Sequence, residues 1–271
     1  MSEKQRSEEQ AGDETIRLGG MALPNGVLVH GPSSWACAIR GEDGTVEVAG
    51  EYKRFRAAKV TVPFLRGPAR LAEALAVLPE IRRALPGARL PMQSPRVLAS
   101  MVGVTVLVRG IRDSSRVRPA AQELLSGLLS LAPAVLAMRG SELAAYHGAE
   151  HISIGRYEHG EGAQKEHERC GGHLVGPLVA TTVVGNVLAG LAPVQHRRNA
   201  RAAAQIGAVA ASTEIFGWMT RNPGNLLAQA LSKPGHELQH RLSTAEPTPE
   251  QLDVAEAALA ACLELEHGPD R

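Results

Sequence analysis

Tyr146-His147-Gly148-Ala149-Glu150-His151 sets two imidazoles four residues apart with a carboxylate between them. On a helix, positions i and i+4 lie one above the other on the same face. His147 and His151 can therefore close on one metal ion without distorting the backbone. Read with Glu150, the string is also H-x-x-E-H, the inverted zinc-peptidase signature, in which two histidines hold zinc and the glutamate activates water. The plain alternative is a pair of solvent-facing histidines on an amphipathic helix.

Downstream, His167-Glu168-Arg169-Cys170-Gly171-Gly172-His173 adds further nitrogen and sulfur donors. Imidazole plus thiolate suits Zn²⁺ first and Fe²⁺ second, in a site of about four ligands. Cys170 precedes two glycines, where the backbone can turn tightly and let the sulfur approach an ion. His167, between Glu166 and Glu168, is a further candidate ligand. His173 and His159 are weaker candidates, and His30, beside a Gly31-Pro32 turn, can line the same pocket. Glu214 lies in an otherwise apolar stretch, where an ionised carboxylate is costly unless paired or metal-bound. It is the candidate carboxylate ligand. Glu150 is the candidate general base.

Outward from this centre, the helix carrying it starts at Ser141, a good N-cap. The Gly-rich, charged stretch from Gly155 to Lys165 reads as a loop that returns His167 and Cys170 to that helix. The first 65 residues read as β: Gly19 to Leu23, Val27 to Val29, Trp35 to Arg40, Thr45 to Ala49 and Lys59 to Leu65, with turn signals at Pro24-Asn25-Gly26 and Gly41-Glu42-Asp43-Gly44. From Pro68 the pattern turns helical, over Ala69 to Leu85, Pro95 to Gly110 and Pro119 to Met138. The last helix begins at Thr248-Pro249-Glu250-Gln251, a capping box with proline in the first turn. Its stripe of Leu252, Ala255, Leu259 and Cys262 makes Cys262 a core residue. The fold class is α+β: a small N-terminal antiparallel β-sheet followed by a mostly helical, Ala/Gly-rich bundle carrying a His/Cys metal site. Residues 1–18 read as a disordered tail and 19–271 as a single domain.

Composition limits the function classes. The net charge of +1 points neither to nucleic acid nor to an anionic surface, and aromatics are only 3% of the chain, so small side chains must fill the core. Three scattered cysteines make no disulfide framework and fit a reducing, cytoplasmic compartment. The polar N-terminus has no apolar segment of the kind a secretory signal requires. Leu174 to Val194 carries no charge and is long enough to cross a bilayer, but Pro177, Asn186 and Pro193 interrupt it. Pro119 to Met138 and Ala202 to Met219 are similar, interrupted by Glu123 and Glu214. A soluble or peripheral protein is the first reading and insertion in the inner membrane the second.

Together these strings resemble the YqhQ-like proteins, a bacterial family of unknown function described as predicted metal-dependent enzymes. The resemblance runs through Gly19-Gly20-Met21-Ala22, Asn25-Gly26-Val27, Gly31-Pro32 and Pro63-Phe64-Leu65-Arg66-Gly67. It is most specific at Tyr146 to His151 and at His167 to Gly171. It closes with Pro234-Gly235, Leu238-Gln239 and Thr244 to Pro247. It implies metal dependence through His147, Glu150, His151, His167 and Cys170, with Glu214 in a comparable place, and fixes no substrate class. Members with membrane-spanning segments are richer there in large apolar residues than this chain is.

Two functions follow. One is a metal-dependent, water-activating hydrolase or lyase acting on an unidentified small molecule. The other is a non-catalytic metalloprotein, its zinc closed by four ligands, acting as a binding or membrane-associated scaffold. Either is compatible with a homo-oligomer. No Gly-rich nucleotide fingerprint and no serine nucleophile elbow narrows the substrate.

Overall fold

The computed structural model describes residues 15–90, 93–114, 116–160 and 162–268. Most of the tail expected to be disordered lies outside them. Where the described chain begins, the Ile16 N–H already donates to the Tyr157 hydroxyl at 3.0 Å.

Four strands, β1 (Gly19–Leu23), β2 (Gly26–His30), β3 (Ser34–Arg40) and β4 (Val46–Tyr52), form one antiparallel sheet in sequence order. Side chains alternate across a strand, and here both faces of the two central strands are covered. Val27, Val29, Ala36 and Ala38 face two long helices, α6 (Glu142–His159) and α10 (Pro249–His267). Leu28, Trp35, Cys37 and Ile39 face Val77 and Ile81, around the short helix α2 (Leu78–Ala84). This two-sided burial explains why Gly26 to Val29 reads as an unbroken apolar run. The buried side chain of Asn25 holds the first hairpin, donating to Arg40 O and Gly87 O and accepting from Arg89 N–H.

The stretch from Lys59 to Leu65, expected as a strand, is not one. Arg56–Lys59 is a 3₁₀ turn whose first amides are taken by Glu73. Pro63 lacks a donor, and Phe64 sits at φ 66°, outside the β region. The helix expected over 69–85 is two, α1 (Arg66–Leu75) and α2, and that over 119–138 is also two, α4 (Pro119–Leu129) and α5 (Ala132–Met138). In each case a proline, Pro79 or Pro133, stands in the first turn of the second helix. With no N–H to continue the preceding helix, it starts a new one.

The helical half comprises α3 (Pro95–Asp113), α4, α5, α7 (Val175–Gly190), α8 (Arg197–Arg221) and α9 (Leu226–Leu238). Small residues bring α7 and α8 together: a Cβ at Gly185 would lie 3.2 Å from that of Ala204. Glu123, 3% exposed, ties four helices by pairing with Arg112 at 2.8 Å and Arg201 at 3.8 Å and accepting from Asn186 at 2.9 Å. Two helical stretches, Ala121–Met138 and Gly171–Gly190, are long and apolar enough to cross a membrane, and only 17% and 22% of their residues are buried. They are therefore not the covered core helices of this fold.

Candidate metal centre

The site rests on α6, the helix that both halves share. Ser141 caps it, its Oγ accepting from Ala144 N–H at 3.3 Å. From Leu143 to Gly155 most of its residues are buried, so its position is set by packing. It runs on to His159 and stops at Gly160, φ 85°. The return loop is thus shorter than expected, beginning at Gly160 instead of Gly155.

His147, His151 and Cys170 come together, with one donor atom from each within 4.8 Å of the others. The two rings, 4.4 Å apart between centroids, are each anchored through Nδ1. His147 Nδ1–H donates to Ser243 O at 2.8 Å and His151 Nδ1–H to Lys165 O at 2.5 Å. This leaves both Nε2 lone pairs for an ion, the usual arrangement of ligating histidines. Cys170 Sγ lies 3.5 Å from His147 Nε2 and accepts from Gly172 N–H at 3.3 Å. Around a tetrahedral zinc with Zn–S about 2.3 Å and Zn–N about 2.0–2.1 Å, sulfur and nitrogen are roughly 3.6 Å apart. The residues fit such an ion.

Glycines make this convergence possible. A Cβ at Gly148 would come within 2.1 Å of Ala245 O, so the chain that supplies Ser243 O can cross α6 only there. A Cβ at Gly235 would lie 2.6 Å from Gly172 O, so α9 packs directly on the turn after Cys170. Gln239, completely buried, accepts from His167 N–H at 2.9 Å and fixes the loop. Sequence reasoning gave Gln239 no role of its own, and only its place in the Leu238-Gln239 string singled it out.

Burial keeps both histidines in the neutral, ligating form. It lowers His147 and pushes His151 down to about 3, with the neighbouring His147 adding to the shift. Burial also pushes the Cys170 thiol up to about 12, against the Gly172 amide. A divalent cation reverses that preference by binding the thiolate.

Glu150 is 6% exposed, and burial raises its carboxyl to about 8. It lies on the ligand face of α6, close enough to Cys170 for its charge to be felt at the thiol. A Cβ at Gly20 would sit 2.3 Å from Glu150 Oε1, so β1 needs glycine where it passes the carboxylate. Glu150, the three donors and His30 all line one cavity of about 670 Å³.

Two expected ligands lie outside the three-donor group. His167 lines the cavity, but its Nε2 faces Glu158 Oε2 at 3.3 Å, and Glu158 also binds Arg169. Glu214 accepts from Phe64 N–H at 3.0 Å and from Arg66 Nε–H at 2.9 Å and Nη2–H. The ion pair answers the cost of a carboxylate among apolar residues, so no metal is needed there. His173 is buried against Ser232 O at 3.1 Å, and His159 is exposed.

Residues 137–265, just under half of the chain, match a family described as "Protein of unknown function (DUF1385)". The match spans α6 to α10 and includes all three donors, Glu150 and Gln239; the sheet lies outside it. No curated protein and no solved structure matches the chain.

Proposed function

We propose that His147, His151 and Cys170 hold a zinc ion and that the protein is a metal-dependent hydrolase with Glu150 as its general base. The observation that carries this reading is the three-donor cluster opening on a cavity that Glu150 also lines. Three protein ligands are the usual number where zinc keeps a position for water. A closed structural site would need a fourth donor, and the side chain of His167 is engaged by Glu158. When bound, the ion supplies a Lewis acid that lowers the pKa of water and polarises a substrate oxygen. With a cation held beside it to favour the carboxylate form, Glu150 would take the proton from water and return it to the leaving group. His147 and His151 are kept from turning by their Nδ1 bonds. The exposed apolar faces of α3, α4 and α7 support attachment of the helical half to a lipid surface.

Elemental analysis tests the assignment. Wild type and Glu150→Gln should carry about one zinc per chain, and Cys170→Ser should lose it. Retention of stoichiometric metal by a His147→Ala/His151→Ala double variant would refute it.

A further inference from the structure

The cavity beside the three donors has two chemically different ends. At one end are His147, Glu150, His151 and Cys170, with Arg169 as the sole permanent cation among the described lining residues. Glu158 neutralises that cation, so the polar end has no charge to spare for a phosphate group. The other end is apolar, formed by Val97, Met101, Pro133, Ala134 and Met138. Its volume, about 670 Å³, is in the middle of the range for small-molecule sites.

The apolar end also reaches the outside. Val97 is buried, Met101 is 36% exposed, and their neighbours Leu98 and Val102 on α3 are 49% and 66% exposed. The lining thus runs along α3 into an apolar outer surface. A small polar substrate would leave this half of the cavity as unused apolar wall. A molecule with a hydrolysable head and a hydrocarbon tail would fill both ends.

We infer that the substrate is an acyl amphiphile, an ester or amide of a long-chain fatty acid, with its carbonyl at the His147–His151–Cys170 cluster and its chain between α3 and α5. This rests on the metal reading above. Hydrolysis forms one C–O bond from water to the acyl carbon and breaks the C–O or C–N bond to the leaving group. Glu150 carries the proton from water to the departing oxygen or nitrogen, and the products are a fatty acid and an alcohol or amine. No oxidant or further co-reactant is required.

Hydroxamates, which chelate zinc through a head shaped like the acyl group, separate the two readings. Zinc-loaded protein is titrated calorimetrically with acetohydroxamate, octanohydroxamate and dodecanohydroxamate below their aggregation limits. Affinity should rise about fourfold for each methylene that enters the cavity and level off once the chain emerges. Ala134→Phe, at an exposed lining position that tolerates a larger side chain, should cut that rise short and leave acetohydroxamate binding unchanged. Equal affinities for the three compounds would overturn the acyl-chain inference and leave the metal site standing. A chain-length rise unaltered by Ala134→Phe would place the tail on the outer helical faces and overturn it too. Absence of both zinc and hydroxamate binding would remove the metal reading and this one with it.

Discussion

Val27 and Val29 in β2 are completely buried, whereas Val102 and Val106 in α3 are 66% and 65% exposed. The same side chain is treated in opposite ways by the two parts of the molecule. In β2 and β3, each apolar residue packs in one of two buried clusters shared with helices of this chain. In the helical half, Leu107, Leu128, Leu188 and Ile206 point outward as well. These exposed apolar residues lie on four helices, α3, α4, α7 and α8. The difference teaches what fixes the site: α6 is held by its packing against the sheet and α10, whereas the helical half leaves many of its apolar side chains at the surface.

The largest test of that contrast is a pair of truncations. Trp35→Ala, in the fully buried layer beside Ile81, should cost about 3–5 kcal/mol in urea denaturation. Val102→Ala should change stability by less than about 0.5 kcal/mol. Comparable losses in both would mean that α3 is covered in solution, by a second copy of the chain, and the contrast would fail.

Next comes the pH response of the metal-free protein at the junction. Burial raises Glu150 from its ordinary 4.5 to about 8. The folded state then binds the proton more tightly than the unfolded one, so its stabilisation is present below about pH 4.5 and is lost as pH rises through about 8. Glu150→Gln removes that loss. Its melting temperature relative to wild type should climb between about pH 4.5 and 8 and stay level above. His151 has the opposite sign: its depressed pKa makes stability fall as pH drops from 6.5 toward about 3. A pH-independent difference for Glu150→Gln would show a carboxylate that is hydrated rather than held in the closed half.

Gly148→Ala probes how tightly that half grips the site. The new methyl would meet Ala245 O, a backbone atom that cannot rotate aside. Overpacking of this kind costs about 1–3 kcal/mol. Because Ser243 O orients His147, zinc affinity should fall with stability. A loss of stability with zinc affinity intact would uncouple the crossing chain from the metal centre.

How much of this was legible depended on whether the signal was local. The sheet, its hairpins, the Ser141 cap and the Thr248–Gln251 capping box were readable because each is set by residues a few positions apart. So was the i, i+4 pair of His147 and His151, and Cys170 followed from its donor chemistry. The helix breaks at Pro79 and Pro133 were also local, but apolar periodicity runs straight through them. What stayed hidden was long-range: that Ser243 and Lys165 supply the anchoring carbonyls, that Gln239 fixes the loop, and that Glu158 takes His167. Periodicity finds the apolar residues of α3 and α7 but does not say whether another helix covers them.

Glu214 gives the smallest expected effect and the cleanest check on that limit. A carboxylate in an apolar stretch reads equally well as a ligand or as half of an ion pair, and the sequence separation of Arg66 conceals the second option. In the structure Arg66 and the Phe64 amide take both oxygens, and these bonds hold the carboxyl below its ordinary range. The pair is on the surface, where solvent and salt screen it. Glu214→Gln should therefore shift the melting temperature little and leave one zinc per chain. Loss of zinc in that variant would return Glu214 to the ligand set and require α8 to move toward α6, erasing the boundary between the two halves that the exposed valines draw.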